Sequence, residues 1–410
     1  MLGGAVGMVV GAFAIVLFVG GIRLAFGVWI HPLEEDFHVD RAALSLVAAL
    51  GYLTFGLIQP FLGRIVDVYG SRLVLPGAVL LSGIGLCASS LTSSYWAFLA
   101  VYSLLASVGF AGLANATLAA AVTQRFTSRR GLAFGAISAG GPFGQLVMAP
   151  LAAIGVEVVG WRSTMGALGV VLLAVALPLA WLVLGRTAPP ARAAGASTGV
   201  LAVYAAALKN RGFQLLFAAY FICGVTTLGL VHTHIVPYGI DLGLPDVNAA
   251  RVLGLIGLCN GFGLIAWGHL ADRWGGRTPL IYVFAVRSVA LLWVSTASTE
   301  ANLLTFALIF GMTDMATIPL SANAAAALLG PRVIGVTVGL LAVAHQMGSA
   351  VGSYLAGYGF RELHGYPPII IAAAGVALLG SLCCIALDIG RYRVVETGGS
   401  AGLAPSGAAS

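Results

Sequence analysis

The chain has 410 residues, of which 60% are hydrophobic and 8% charged, with a formal net charge of +6 and a mean hydropathy of +1.00. A soluble chain carries about a quarter charged residues, so this one cannot cover a water-exposed surface and is read as an integral membrane protein. The basic balance does not imply nucleic acid, because the arginines sit in short clusters between apolar runs, and Lys209 is the only lysine.

A bilayer core of roughly 30 Å takes about 20 apolar residues per helix. The runs here are continuous, not alternating, and open sheet edges cannot face lipid, so every span is expected to be helical. The first, about 5–30, carries Arg23 and has no basic flank or cleavage site, so it is read as a spanning helix and not a removable signal. The second, 43–64, runs into GRIVDVYGSR at 63–72; the third is 73–91, and the fourth, 95–123, holds Asn115. The fifth, 131–156, has Gly131, Gly135 and Gly144 with Pro142 and Pro150, and the sixth is 164–185. Residues 186–212, with PPARAAGASTG, read as a polar linker.

The seventh span, 213–239, contains His232, His234 and Tyr238. The two histidines are two residues apart, so on a helix they point about 200° apart and at most one faces a cavity. HTH is therefore rejected as a metal motif. The eighth, 250–270, contains Asn260 and ends in GHLADRWGGR at 268–277; the ninth, 279–298, contains Arg287. The tenth, 302–328, has Asp314, Pro319 and Asn323. The eleventh, 333–358, has Gly335, Gly339, His345, Gln346 and Gly348, and the twelfth is 367–389. The tail, 391–410, is expected to be disordered. Cys87, Cys223, Cys259, Cys383 and Cys384 lie in apolar stretches without paired spacing and read as reduced thiols, with no disulfide or metal framework.

Loop arginines set the orientation. With the N-terminus in the cytoplasm, fourteen basic residues fall in inner loops and the tail, and only Arg41, Arg162, Arg251 and Arg361 fall outside; Arg23 and Arg287 lie within the membrane. Both termini are then cytoplasmic. The chain also repeats itself. GRIVDVYGSR and GHLADRWGGR share Gly, Asp, Gly and Arg at an offset of 205, and Gly131, Gly135 and Gly144 match Gly335, Gly339 and Gly348 at 204. Two independent pairs at nearly one offset imply two six-helix halves, 1–185 and 213–390, in the same orientation, with substrate bound between them near the midplane.

GRIVDVYGSR and GHLADRWGGR resemble the signature loops of the major facilitator superfamily, and the resemblance covers nearly the whole chain. RFTSRRGLAFGAISAGGPFG at 125–144 and GIRLAFGVWIHPLEEDF at 21–37 are similar to the monocarboxylate-transporter branch in its prokaryotic form. The resemblance implies a cytoplasmic latch that favours the outward-open state, built on Gly63, Asp67, Gly70 and Arg72 and on Gly268, Asp272, Arg273, Gly275 and Arg277. The alternative is a static cap carrying orientation charges. There are departures. Leu24 stands where eukaryotic members place a lysine, and Asn260 and Leu264 replace an acid-then-arginine pair of the eighth helix. His345 matches the eleventh-helix lysine of the branch's oxalate–formate exchangers.

Arg287 and Asp314 lie about equally far from the turn at Thr299 to Ala301, on antiparallel neighbours, so they are expected to pair at matched depth. The pair is read either as structural, with the ninth helix held to the tenth, or as proton-responsive through Asp314; direct anion binding by Arg287 is a third reading. Arg23 either binds a carboxylate or snorkels to the outer headgroups. His345 is either a satisfied buried histidine or a proton acceptor. Asn115, Tyr238, Asn260, Asn323 and Gln346 complete the expected cavity lining.

These features predict an all-α membrane protein of twelve helices that moves a small organic anion, a monocarboxylate, by alternating access with proton symport. It is expected to sit in the inner membrane as a monomer, without cofactor, metal or nucleic-acid partner. No nucleotide-binding motif and no nucleophile–base set are present, which argues against a pump or an enzyme. Efflux of a neutral or hydrophobic compound, and a non-transporting membrane sensor, are the competing readings.

Overall fold

In the computed structural model, residues 5–114, 117–119, 121–122, 130–183, 200–330, 333–392, 394–395 and 404–405 are described. In the first half, α1 is Ala5–Leu24, α2 Gly27–Phe37, α3 Arg41–Tyr69, α4 Ser71–Ser90, α5 Tyr95–Ala111 and α6 Gly131–Val183. The second half contains α7 Val200–Lys209, α8 Arg211–Asp241, α9 Asp246–Trp274, α10 Arg277–Val294, α11 Glu300–Leu329, α12 Ile334–Leu363, α13 Pro367–Ala386 and α14 Ile389–Tyr392.

Ten of these helices are long and apolar enough to cross a membrane. One of them, α6, is broken at Gly160 (φ 80°, ψ 161°) and makes two crossings, and the shorter α5 supplies another, so twelve crossings are present among the described residues. The expected boundaries and elements differ in four places. No loop separates the fifth and sixth crossings, because Gly160 alone turns the chain. The first span ends at Leu24 and is followed by the separate α2. The expected linker 186–212 contains α7 in its second part, and within the expected tail β1 Val394–Val395 pairs antiparallel with β2 Ala404–Pro405.

The connection at Gly160 has counterparts. Gly70, Gly275 and Gly330 have φ of 80°, 71° and 87° with extended ψ, a region open essentially to glycine alone. The two signature loops thus need glycine at Gly70, a turn one residue long, and at Gly275, which turns together with Gly276. Other helix starts are capped in the usual way: the Asp40 and Asn210 carboxylate and amide oxygens accept from the Ala43 and Phe213 N–H groups, and the Ser94 and Thr299 hydroxyls from Ala97 and Asn302.

The halves meet along two seams, α3 against α12 and α6 against α9. Small residues let backbones touch there. A methyl group on Gly357 would meet Ser45 Oγ at 2.0 Å, and one on Gly257 would meet the Pro142 carbonyl at 2.6 Å. Ser353 donates to the Ser45 carbonyl at 3.2 Å and Gln145 Nε2 to the Leu253 carbonyl at 2.9 Å. At mid-height Gly56 faces Gln346. Toward the Gly70 end of the same four helices the contact ceases: methyl groups placed on Gly63, Gly131, Gly135, Gly268, Gly335 or Gly339 would meet nothing within 4 Å. Among the described residues the bundle is therefore closed at the Arg41 end and parted at the Gly70 end.

Candidate functional site

Arg23 lies one residue before the end of α1. That helix runs hard against α6, since Gly21 and Gly144 leave no room for a side chain: a methyl on Gly144 would sit 2.1 Å from the Leu17 carbonyl. The close approach fixes the depth of Arg23, whose guanidinium lies 3.9 Å over the Phe55 ring of α3. Its Nη2 is buried and has no hydrogen-bond partner. Arg23 opens onto a cavity in the first half whose other walls include Tyr52, Tyr102, Ser107 and Phe110, with no carboxylate among them. A snorkelling arginine would reach headgroups; this one is turned inward. Tyr102 comes from a π-helical turn, Val101–Ala106, a feature frequent at functional sites.

The Tyr52 hydroxyl leads out of this cavity into the second half. It lies 3.1 Å from the Leu228 carbonyl and 3.1 Å from Thr233 Oγ1. Both belong to the π-helical turn Val225–His232 of α8 and its exit. Gly27, at the start of α2, packs directly on the His232 and Thr233 carbonyls.

Behind that turn lies a buried polar cluster. The expected ion pair between the Arg287 guanidinium and the Asp314 carboxylate is not made. Arg287 is fully buried, and its Nη2 donates to the main-chain carbonyls of Thr313 at 2.8 Å and Asp314 at 3.1 Å. Helix α11 breaks there: with no N–H on Pro319 to reach the Met315 carbonyl, Ile318 N–H bonds to Met315 O in its place and leaves Asp314 O to Arg287. A cation at a helix C-terminus is favoured by the helix dipole. Arg287 Nη1 meets Cys223 Sγ at 3.2 Å and Thr226 at 3.5 Å, and Nε has no partner.

The Asp314 carboxylate turns instead to His232 and Asn260, each 2.7 or 2.8 Å from Oδ2. Asn260 Oδ1 accepts from Met315 N–H. Asn260 is thus spent on holding Asp314 and the broken backbone. His345 Nε2 lies 3.3 Å from Thr227, its ring 5.2 Å from Tyr220, and it is half-buried beside Cys223. The Gln346 amide oxygen is buried without a partner and Asn323 is half-buried. Tyr238 donates to the Val294 carbonyl and meets the Tyr366 ring edge-on, lining a second, separate cavity within the second half. Asn115 lies outside the described residues. The described residues hold no group of three metal-ligating side chains, and all five cysteines are free thiols.

The closed end is held by charge. Arg41 binds Glu34 through Nε at 2.9 Å and Nη2 at 3.0 Å, and Nη1 reaches Asp241 of the other half at 2.5 Å. Its guanidinium also lies 4.2 Å over Phe360. Tyr366 bonds to His234 Nδ1 at 2.8 Å, and His234 Nε2 donates to the Ser353 carbonyl. Burial pushes the Tyr366 hydroxyl up from its ordinary value, so it stays a neutral bridge. A second, exposed pair joins Arg361 to Asp40 at 3.1 Å.

At the parted end the second signature loop makes no latch among the described residues. Asp272 and Arg273 are exposed, and Asp272 makes no hydrogen bond or ion pair among the described residues. Arg277 caps the end of α13, donating to the Cys384 and Ile385 carbonyls. Arg72 is exposed, and the Asp67 side chain lies outside the described residues. The sequence reading missed His232, Cys223, Tyr52 and the Arg41 lock. A faint signal existed for His232 alone, since the two-residue spacing in HTH forces the histidines onto opposite faces.

Comparison with known proteins agrees with this architecture. The family model described as Major Facilitator Superfamily matches residues 9–352 and 252–406. The uncharacterized MFS-type transporter YcxA of Bacillus subtilis is 28% identical over 393 residues, 92% of each chain. Monocarboxylate transporter 11 of Homo sapiens is 25% identical over 92% of this chain and 81% of its own. Among solved structures, the nucleoside transporter NupG superposes with a TM-score of 0.79 at 13% identity, over 93% of this chain and 99% of its own. A bacterial homologue of the human lysosomal transporter Spinster, in an inward-facing and occupied conformation, gives 0.70 at 18% identity, over 92% and 93%.

Proposed function

The chain belongs to the major facilitator superfamily, and on that premise we propose that it is a secondary transporter of a small organic anion, a monocarboxylate, working by alternating access with proton symport. The observation that carries the substrate class is Arg23. A half-buried arginine whose Nη2 is buried without a partner, with no carboxylate beside it and hydroxyls of Tyr52, Tyr102 and Ser107 around it, offers one carboxylate a charge-assisted hydrogen bond, and the cavity of about 20 Å³ must widen to admit it. The name of the human relative, a monocarboxylate transporter, points the same way.

The arginine bias supports an orientation with both termini in the cytoplasm. In that orientation the closed Arg41 end faces outward and the parted Gly70 end inward, so the conformation is inward-facing, and the unlatched Asp272 fits a latch made only when the inner side closes. The chain works as a monomer in the inner membrane. Half-buried His345 and buried Asp314 are titratable groups through which protons can couple to transport.

A second reading, efflux of a neutral or hydrophobic compound, draws on the aromatic walls Phe26, Phe55 and Phe110 and on Asn260 being occupied by Asp314. Counterflow in proteoliposomes decides between them. Labelled lactate or pyruvate should exchange against the unlabelled acid, and Arg23→Leu should abolish the exchange. A wild-type protein that exchanges no carboxylate refutes the anion reading.

A further inference from the structure

Three histidines of the second half are buried or half-buried, and their surroundings differ in one respect. His234 uses both ring nitrogens: Nε2 must donate to the Ser353 carbonyl, which leaves Nδ1 to accept from the Tyr366 hydroxyl. A further proton on Nδ1 would meet that hydroxyl's hydrogen. His345 faces two hydroxyls, Thr227 and Ser349, whose own hydrogens go to the Cys223 and His345 carbonyls. His232 is different. Its Nε2 is held by the Asp314 carboxylate at 2.7 Å, and its Nδ1 is buried with no partner at all.

A carboxylate can only accept, so Nε2 carries the hydrogen of that bond and Nδ1 presents a bare lone pair. An unpartnered buried polar atom needs an explanation. We propose that His232, held by Asp314, is the proton-binding site of the transport cycle, and that the π-helical turn Val225–His232 links it to the anion at Arg23. This rests on the transport reading above and assigns its coupling site.

The proton balance follows from the groups that face the dyad. From α8 there is Cys223, from α9 Asn260, from α10 Arg287, from α11 Asp314, and from α12 His345 beyond Cys223. With His232 neutral and Cys223 a thiol, Arg287 and Asp314 cancel. A proton added to Nδ1 from water breaks no bond, forms one N–H, and leaves the cluster one positive charge in excess. Burying an uncompensated charge is costly. A monocarboxylate brings one negative charge, so proton and anion load together, and the sum is neutral.

The link between the sites is physical. His232 is the last residue of the π turn, and Leu228 in that turn, with Thr233 just after it, meets the Tyr52 hydroxyl. Tyr52 walls the Arg23 cavity. A carboxylate at Arg23 competes for the Tyr52 hydroxyl, and losing that contact releases the turn that carries His232.

The test separates coupling from binding. Full-length protein in proteoliposomes is assayed for lactate counterflow at equal pH, which moves no net proton, and for lactate accumulation under an inward gradient. One pH unit supports about tenfold accumulation in one-to-one symport. His232→Gln is expected to lose the gradient-driven accumulation and, because the anion then loads uncompensated, to show a weakened counterflow that no longer varies with pH. Asp314→Asn keeps an acceptor for Nε2 but not the charge, so the pH of half-maximal uptake should move to more acidic values; this second variant carries the test if the first does not fold. Gradient-driven accumulation that persists in His232→Gln, or that is lost in His345→Gln while His232→Gln retains it, overturns the proposal. Wild-type protein without lactate counterflow refutes the anion reading instead. The dyad is then judged on the purified protein alone, by difference infrared spectra between acid and alkaline pH: a histidine protonation band present in wild type and absent in His232→Gln sustains it, and an unchanged band overturns it.

Discussion

Asp241→Asn should tip the conformational equilibrium away from the state described here. Arg41 is 7% exposed and makes its bidentate contact to Glu34 inside its own half, so Asp241 is the carboxylate that ties it to the other half. Asparagine keeps an acceptor oxygen and removes the charge. The bond left behind still has the ionised guanidinium as donor, so only the ionic part of a pair whose Asp241 is 32% exposed is lost, about 1 kcal/mol. That corresponds to roughly a fivefold gain in the population open at the Arg41 end. Asp40→Asn removes the companion pair with Arg361, whose side chains are 42% and 46% exposed. Exposed pairs contribute about 0–1 kcal/mol and fade with salt, so its effect should be small and vanish at high ionic strength. Spin labels at Glu35→Cys and Leu363→Cys, both exposed positions, report the width of that end by pulsed dipolar spectroscopy. A long-distance population should grow in Asp241→Asn. If Asp40→Asn produces an equal change, or Asp241→Asn produces none, burial does not set the strength of this lock and the reasoning fails.

Further outcomes are expected. Arg23→Lys keeps the charge and loses the planar fork that stacks on Phe55, so carboxylate-induced thermal stabilisation should weaken, and Arg23→Leu should abolish it; an unchanged shift in Arg23→Leu removes the anion site. In a double-mutant cycle on thermal stability, His232 and Asp314 should couple by about 0.5–3 kcal/mol, more than Arg287 and Asp314, whose side chains do not meet. The reverse order would restore a direct Arg287–Asp314 pair. Gly348→Ala places a methyl 2.0 Å from the Phe221 carbonyl, and overpacking of this kind costs about 1–3 kcal/mol. Its melting temperature in detergent should fall, while Gly335→Ala, with nothing within 4 Å, should not change it.

The fold was legible because its cause is written in the chain. Continuous apolar runs of membrane length allow only helices, and GRIVDVYGSR with GHLADRWGGR displays the duplication directly. What depends on three-dimensional detail was hidden. The equal depth of Arg287 and Asp314 was readable by counting residues from the turn. That Asp314 would present its backbone to Arg287 and its side chain to His232 was not, because it follows from the local break in α11. Pro319 hinted at a bend, but not at which carbonyls would be released. The π turn in α8 leaves no periodicity signature within a run that is apolar on every side, so the position of His232 could not be computed from 3.6 residues per turn. Gly160 was one of 56 glycines, and nothing in its neighbours marked it as a complete loop.

The one-residue corners at Gly70 and Gly160 carry a mechanical consequence. A hinge of a single residue leaves no slack, so the two rods it joins must swing together as a stiff bracket. Motion is then passed to the seams between brackets, and inserting even a short flexible tag at either of these two corners would uncouple the rods it was meant only to label.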